Sequence, residues 1–301
     1  MASGSLHWPG RQSGGQTVTK VSDAQPILVV GSSGKTGSRV AARLTERGIP
    51  VRQGSRRANP PFDWQNPRTW APALQGVRAV YLTYAPDIAI PGSVDTVRAF
   101  VKLAAEAGVQ HVVLLSGRGE EEAEAAEVVV QTSGIPWTVL RCAWFAQNFS
   151  ENFWLDSVLQ GEVVLPVGDV PEPFVDAEDI ADVAVAALTE DGHTGRLYEL
   201  SGPRLITFAE AVREIAAATG RDITFQSIPA LEYRAALEEA QLPPDIIWLI
   251  DYLFTTVMDG RNATLTHGVQ AALNRSPRDF ADYARRTADS GVWNALATVT
   301  R

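Results

Sequence analysis

Short apolar runs alternate with longer amphipathic ones from Ile27 onward, and a Gly-x-x-Gly-x-x-Gly turn joins the first run of each kind. The alternation marks repeated βα units, and a glycine turn between strand and helix marks a dinucleotide crevice. Together they predict an α/β fold: a Rossmann-type doubly wound parallel sheet with a smaller, mostly helical C-terminal lobe. With 301 residues, 45% hydrophobic and 20% charged, the chain can build one large or two small cores without staples. The expected boundaries are a flexible tail over 1–23, a sheet domain over 24–200 and a lobe over 201–301, to which segments of 145–175 also contribute.

The elements follow in order. Ile27 to Val30 is the first strand, and Ser38 to Arg47 a helix closed at Gly48 with Val40, Ala41 and Leu44 turned inward. Val51 to Ser55 is the second strand. After Pro60 and Pro61, Phe62 to Trp64 is expected as a short third strand and Ala71 to Leu74 as a short helix. Ala79 to Thr83 is a strand, Ser93 to Ala107 a helix ending at Gly108, and His111 to Leu115 a buried strand running into Ser116 and Gly117. Glu120 to Ser133 is a helix whose acidic leading end suits the positive pole of the macrodipole, and Trp137 to Leu140 is the next strand. A helix around Asn148 to Leu159, a strand near Val163 to Pro166, a helix over Ala177 to Leu188 and a strand over Leu197 to Leu200 complete the sheet domain. Thr207 caps a helix over Phe208 to Thr219.

Several function classes drop out. A net charge of −9 argues against a nucleic-acid backbone as partner. No run of 18 apolar residues is present, so no membrane span is expected. The tail is rich in Gly, Ser, Gln and Thr and has no apolar core of a secretory signal. Cys142 is the single cysteine, which fits a reducing, cytoplasmic setting. His7, His111, His193 and His267 are scattered, so no metal site is expected. Asn262-Ala-Thr264 matches a glycosylation acceptor but, without a signal, is expected to stay unmodified. The run Glu120, Glu121, Glu122, Glu124 and Glu127 is expected to face water in part.

In the turn Gly31-Ser32-Ser33-Gly34-Lys35-Thr36-Gly37, glycines allow a tight bend and close backbone approach to a pyrophosphate, and the helix start offers N–H groups. A nucleotide-hydrolase loop ending in Gly34-Lys35-Thr36 would need glycine at Val29, and fails. Where NAD users place a carboxylate, the chain reads Gly54-Ser55-Arg56-Arg57. Two guanidiniums and a hydroxyl suit a 2′-phosphate, so NADP(H) is the expected cofactor.

Over about Pro26 to Trp293 the chain resembles the NmrA-like, atypical branch of the short-chain dehydrogenase/reductase superfamily. The segments that carry the likeness are Val29 to Gly37, Ala107 to Gly117, Ser133 to Arg141, Trp144 to Phe149, Phe174 to Ala181 and Pro277 to Tyr283. The resemblance implies that Ser33, Lys35 and Thr36 contact phosphates, that Arg56 meets the 2′-phosphate and that Asp63 and Trp64 lie near the adenine. It places Thr83, Tyr84 and Ala85 past the ribose, Ser116 and Gly117 beside the nicotinamide, and Cys142, Ala143, Trp144 and Phe145 against the ring.

Catalysis departs from the superfamily pattern. The usual Tyr-x-x-x-Lys pair supplies a proton, the lysine lowering the tyrosine's pKa; here Glu120 to Gln131 holds neither residue, and none of the six tyrosines has lysine four places on. Tyr84 and Ser116 are the only local acids to name. The function expected is NADPH-dependent reduction of a ketone, enone or quinone by positioning the acceptor against the hydride. The alternative is a non-catalytic NADP(H)-sensing regulator. Trp144, Phe145, Phe149, Phe153 and Trp154, with Trp248, Tyr252 and Phe254, suggest an aromatic pocket for a bulky aromatic or polycyclic carbonyl compound, although each singly also fits core packing. Trp144, Phe145, Asn148, Phe149 and Trp248 are the substrate-side candidates.

Overall fold

The computed structural model describes residues 25–151 and 153–294; the tail expected over 1–23 lies outside them. The chain runs β1 (Ile27–Val30), α1 (Lys35–Glu46), β2 (Val51–Gly54), α2 (Trp70–Leu74), β3 (Ala79–Leu82), α3 (Ser93–Glu106), β4 (His111–Gly117), α4 (Glu121–Gln131) and β5 (Trp137–Cys142). It continues through α5 (Leu155–Gln160), β6 (Glu162–Leu165), α6 (Ala177–Thr189), β7 (Arg196–Leu200), α7 (Phe208–Thr219) and β8 (Thr224–Ser227). The last helices are α8 (Ala230–Glu239), α9 (Pro244–Tyr252), α10 (Gly268–Leu273) and α11 (Phe280–Asp289).

Six strands form one parallel sheet in the order β2-β1-β3-β4-β5-β7. The winding reverses between β1 and β3, and such a switch point opens a crevice at the carboxyl ends of the strands. Helices cover both faces, which is why β1 and β3 read as continuous apolar runs. On one face Val40, Ala41 and Leu44 of α1 and Ile180, Val183 and Ala184 of α6 pack on Ile27, Val29, Tyr81 and Leu140. On the other, Trp70, Phe100, Ala104, Ala126 and Val130 pack on Leu28, Val80, Leu82 and Leu114. Alternate residues of each strand serve opposite layers, the period-two rule of a pleated strand.

A third core lies off the sheet. Phe149, Trp154, Val163, Leu165 and Phe174 pack with Phe208, Val212, Ile215, Phe254, Phe280 and Trp293, so this core draws on both the 146–174 stretch and the C-terminal segments.

Local expectations shift in four places. Helix α1 starts at Lys35, three residues early, because Gly34 is extended (φ −90°, ψ 177°) and serves as N-cap. Phe62 to Trp64 is not a strand: Trp64 Nε1 donates to the Thr83 carbonyl (3.0 Å) and the Asp63 carbonyl accepts from Trp70 Nε1 (2.9 Å), so side chains rather than a ladder anchor this loop. The helix expected over Asn148 to Leu159 is broken into a 3₁₀ turn, Ala146–Phe149, and α5. Strand β8, Thr-Phe-Gln-Ser, was not legible as a strand because it is short and mostly exposed, and among the described residues it pairs only with β6.

Candidate active site

A cavity of about 710 Å³ opens at the carboxyl ends of β1, β3, β4 and β5, beneath α8, α9 and the π-helical turn Leu253–Val257. Its floor is the glycine turn. Gly31 has a left-handed backbone (φ +70°), and a side chain there would strike the Thr83 hydroxyl. That hydroxyl donates to the Val30 carbonyl at 3.1 Å, and Gly31 N–H donates to the Gly54 carbonyl at 2.9 Å, so three strand ends are laced together under the turn. A Cβ at Gly37 would run into the Gly31 carbonyl, so the first turn of α1 sits hard against the loop.

Among the described residues no side chain caps α1, and its first residues, Lys35 and Thr36, line the cavity. An uncapped helix start has N–H donors and a partial positive charge to offer an anion. The Ser32 hydroxyl is buried with no partner among the described residues. Lys35 lies with its ammonium 4.9 Å from the centroid of the Phe153 ring; burial lowers its pKa to about 8, against the opposing pull of Glu151 and Asp87. Open donors, an orphaned hydroxyl and a desolvated cation fit a pyrophosphate.

Ser116, at the end of β4, is fully committed: its hydroxyl donates to Glu127 Oε1 at 2.6 Å, and Arg141 binds both oxygens of that carboxylate, at 2.9 and 2.6 Å. Cys142 also lines the cavity, but burial, reinforced by Glu120 and Glu127, pushes its thiol well up, so no thiolate is available. Tyr84 lines the cavity with its ring 4.9 Å from that of Trp64.

Trp144 forms the acceptor-side wall, stacked on Trp154 (5.6 Å, 16° between planes) and tilted against Phe254 at 5.4 Å. Phe145, Asn148, Tyr233, Leu237, Ile246 and Ile250 continue it.

Of the residues singled out from the sequence, Gly31, Gly34, Lys35, Thr36, Thr83, Tyr84, Ala85, Ser116, Gly117, Cys142, Ala143, Trp144, Phe145 and Asn148 meet at this one cavity. Ser32, Ser33, Gly37, Ser55, Arg56 and Arg57 lie outside its lining, the arginines exposed beyond the end of β2. Asp63 turns its carboxylate to the Gln65 N–H (3.0 Å), and Trp64 is packed among Phe62, Trp70, Phe100 and Tyr84. Two substrate-side candidates are corrected. Phe149 is 0% exposed and belongs to the lobe core, and Trp248 stacks on Tyr252 (5.2 Å, 5°) away from the lining.

Sequence reasoning passed over Asp87 and Arg118 and read Glu120 only as part of an acidic run facing water in part, and the cavity brings all three together. No spacing rule points to them, because Asp87 comes from the loop after β3 and Arg118 and Glu120 from the loop after β4, and the two loops meet only in the fold. Within the acidic run, Glu121 and Glu124 are exposed, while Glu127 is 1% exposed and paired. Asn262 is equally removed from any glycan: it is 3% exposed and its Nδ2 donates to the Arg118 carbonyl at 2.9 Å. Among the described residues there is no group of His, Cys, Asp or Glu able to hold a metal ion, and no helix long and apolar enough to cross a membrane.

A family model described as NAD(P)H-binding matches residues 31–191. The (4-alkanoyl-5-oxo-2,5-dihydrofuran-3-yl)methyl phosphate reductase of Streptomyces griseus is 32% identical over 286 residues, 88% of this chain and 98% of its own. The structure of Citrobacter sp. triphenylmethane reductase complexed with NADP(H) matches with a TM-score of 0.68 at 21% identity, over 87% of this chain and 99% of that one. The transcriptional regulator NmrA, solved with NAD, matches with a TM-score of 0.62 at 16% identity, over 89% and 97%. The chain therefore belongs to the NAD(P)H-binding family, shares the fold of the triphenylmethane reductase and NmrA, and is an NAD(P)H-dependent oxidoreductase.

Proposed function

We propose that the protein reduces the carbonyl group of a bulky aromatic or polycyclic ketone, enone or quinone at the expense of NADPH. The observation that carries this is the continuity of one cavity from the open donors of the glycine turn to the stacked wall of Trp144, Trp154 and Phe254. A flat acceptor laid on that wall lies between apolar faces that exclude water and hold it in register.

The bound nicotinamide supplies a hydride. The chain's own groups do the rest. Ser32, Lys35 and the N–H groups at the start of α1 hold the pyrophosphate, and Arg56 and Arg57, exposed past the end of β2, are the groups proposed to meet a 2′-phosphate. Ser116, with its proton committed to Glu127, presents only lone pairs to the cavity and orients rather than protonates. Orientation of this kind accounts for several kcal/mol of a barrier. The triphenylmethane reductase and the furanyl methyl phosphate reductase act, by their names, on ring compounds, which supports a pocket of this character in relatives.

The test is NADPH oxidation, followed at roughly 340 nm, against quinones and aromatic ketones. Turnover of aromatic acceptors is expected. Activity confined to small aliphatic ketones removes the aromatic assignment, and tight NADPH binding with no turnover on any acceptor removes the carbonyl one.

A further inference from the structure

We infer that the carboxyl group of Glu120, folded over Gly117 at the carboxyl end of β4, is the proton donor of the reduction. The inference rests on the carbonyl-reductase reading above and deepens it by naming the group that the absent Tyr-x-x-x-Lys pair leaves unassigned.

Three features of the site converge on this residue. Glu120 lines the cavity, and its carboxyl fills the space a side chain at Gly117 would need, so glycine there is what lets the acid lie across the strand end. Ligands bind at such strand ends in open parallel sheets. Its Oε2 is buried and has no hydrogen-bond partner among the described residues, in contrast to Glu127 in α4, seven residues on, which meets Ser116 and Arg141. An orphaned buried oxygen is costly unless something else satisfies it, and a substrate oxygen would.

The loop is also clamped in place from the C-terminal side. The Arg118 guanidinium donates to the carbonyls of Asn262 (3.0 Å) and Thr264 (2.8 Å), and Asn262 Nδ2 returns a bond to the Arg118 carbonyl. Gly119 has φ +78°, with the Asn262 side chain 2.8 Å from where a Cβ would stand. The Tyr252 hydroxyl accepts from the Glu121 N–H at 3.2 Å.

The groups around Glu120 favour its protonated form. Asp87 faces it from the loop after β3, Glu122 and Glu127 from α4, Cys142 from β5 and Tyr252 from α9; Arg118, which also lines the cavity, is spent on lobe carbonyls. Burial first, then the charges of Asp87, Glu122 and Glu127, raise the carboxyl well above the usual range. A carboxylic acid neutral at working pH is what a general acid requires.

The step balances. Hydride adds to the carbonyl carbon, the C=O π pair moves to oxygen, and that oxygen takes the proton as the Glu120 O–H bond breaks. NADPH is oxidised, the carbonyl becomes an alcohol, and the Glu120 carboxylate regains a proton from water.

Two acceptors separate a proton donor from a structural residue: an aromatic ketone such as benzil, whose product oxygen needs a proton, and a triarylmethyl dye cation, which takes hydride at carbon and needs none. Glu120→Gln is expected to bind NADPH as tightly as wild type and to lose at least about 100-fold in kcat on the ketone with little change in KM. Reduction of the cation should fall only a few-fold, and Glu120→Asp should recover part of the ketone rate. Infrared spectra of the cofactor-free protein should show a protonated-carboxyl band at neutral pH that Glu120→Gln removes. Equal loss on both acceptors, no loss on the ketone, or no such band overturns the assignment while leaving the carbonyl reading intact. A wild type that reduces the cation but no ketone defeats the carbonyl reading, and this inference with it.

Discussion

In the seam between α1 and α6, Glu151, Glu178, Asp179 and Asp182 each meet a guanidinium, whereas around the cavity Lys35, Asp87 and Glu120 are half-buried without full compensation. Arg39 binds Glu178 and Glu151, both at 2.6 Å, Arg43 binds Asp182 at 2.7 Å and also Glu178, and Arg275 and Arg278 close on Asp179 and Asp182 from the C-terminal segment. Burial works against these acids, but the hydrogen bonds from Arg43 and Arg39 hold Glu178 below the usual carboxylate range, and those from Arg43 and Arg278 do the same for Asp182. At the cavity the balance reverses: burial outweighs the Ala89 N–H and Lys35 in raising Asp87. Matched charge fixes how elements pack, while unmatched charge keeps a free proton or a free donor for a ligand.

The comparison is most directly broken at Asp179, which is 0% exposed. Asp179→Asn leaves Arg275 and Arg278 short of a partner and should cost about 3 to 5 kcal/mol in urea unfolding, with NADPH affinity unchanged per folded molecule. A loss of affinity without a loss of stability would put the seam in the site. Glu172 is an exception to the division, because it is 0% exposed, has neither oxygen partnered among the described residues and does not line the cavity. Burial raises its pKa from 4.5 to about 7. The folded state thus binds more protons than the unfolded one between these values, so this contribution is fully present below 4.5 and is lost as pH rises through about 7. Glu172→Gln should gain up to about 3 kcal/mol above neutrality and flatten the profile, with kcat unchanged; a fall in kcat would make Glu172 functional.

Smaller effects sharpen the unmatched side. Arg56→Ala is expected to weaken NADPH binding by about 10- to 100-fold, the worth of one charge-assisted hydrogen bond, and to leave NADH binding unchanged; an equal effect on both cofactors places Arg56 elsewhere. Lys35 is charged below its pKa of about 8 and neutral above it, so NADPH affinity should fall as pH rises through that value, by at most about tenfold per pH unit. Lys35→Met should remove the slope. Trp248→Ala should change KM by less than about twofold, while Trp144→Ala raises it by about tenfold or more; the reverse order would put the acceptor on the Trp248–Tyr252 stack.

Much of the cavity floor was legible because its determinants are local. Glycines at 31, 34 and 37, a strand before them and a helix after them fix a turn whatever the rest of the chain does, and the residues ending β3, β4 and β5 follow from the rule that ligands sit at strand ends. The acceptor side was legible only as composition. The aromatic cluster was visible, yet Phe149 turned into the core and Trp248 onto Tyr252, because period and residue type cannot tell a pocket wall from a core wall once several layers are apolar. Phe62 to Trp64 misled for a related reason: an apolar triplet has strand character, but its aromatic N–H groups found carbonyl partners instead.

The sequence by itself determined the parallel sheet, the crevice at β1, and the absence of the tyrosine and lysine that such a crevice usually carries, since each depends on short-range pattern. Only the tertiary structure decided which acids are neutralised. Glu120 and Glu127 lie seven residues apart on the same acidic run, and one meets Arg141 while the other meets Asp87 and the open cavity. Neighbouring charge and burial come from β5, the loop after β3 and the C-terminal lobe, and proton affinity is set by that three-dimensional surrounding rather than by neighbours in the chain.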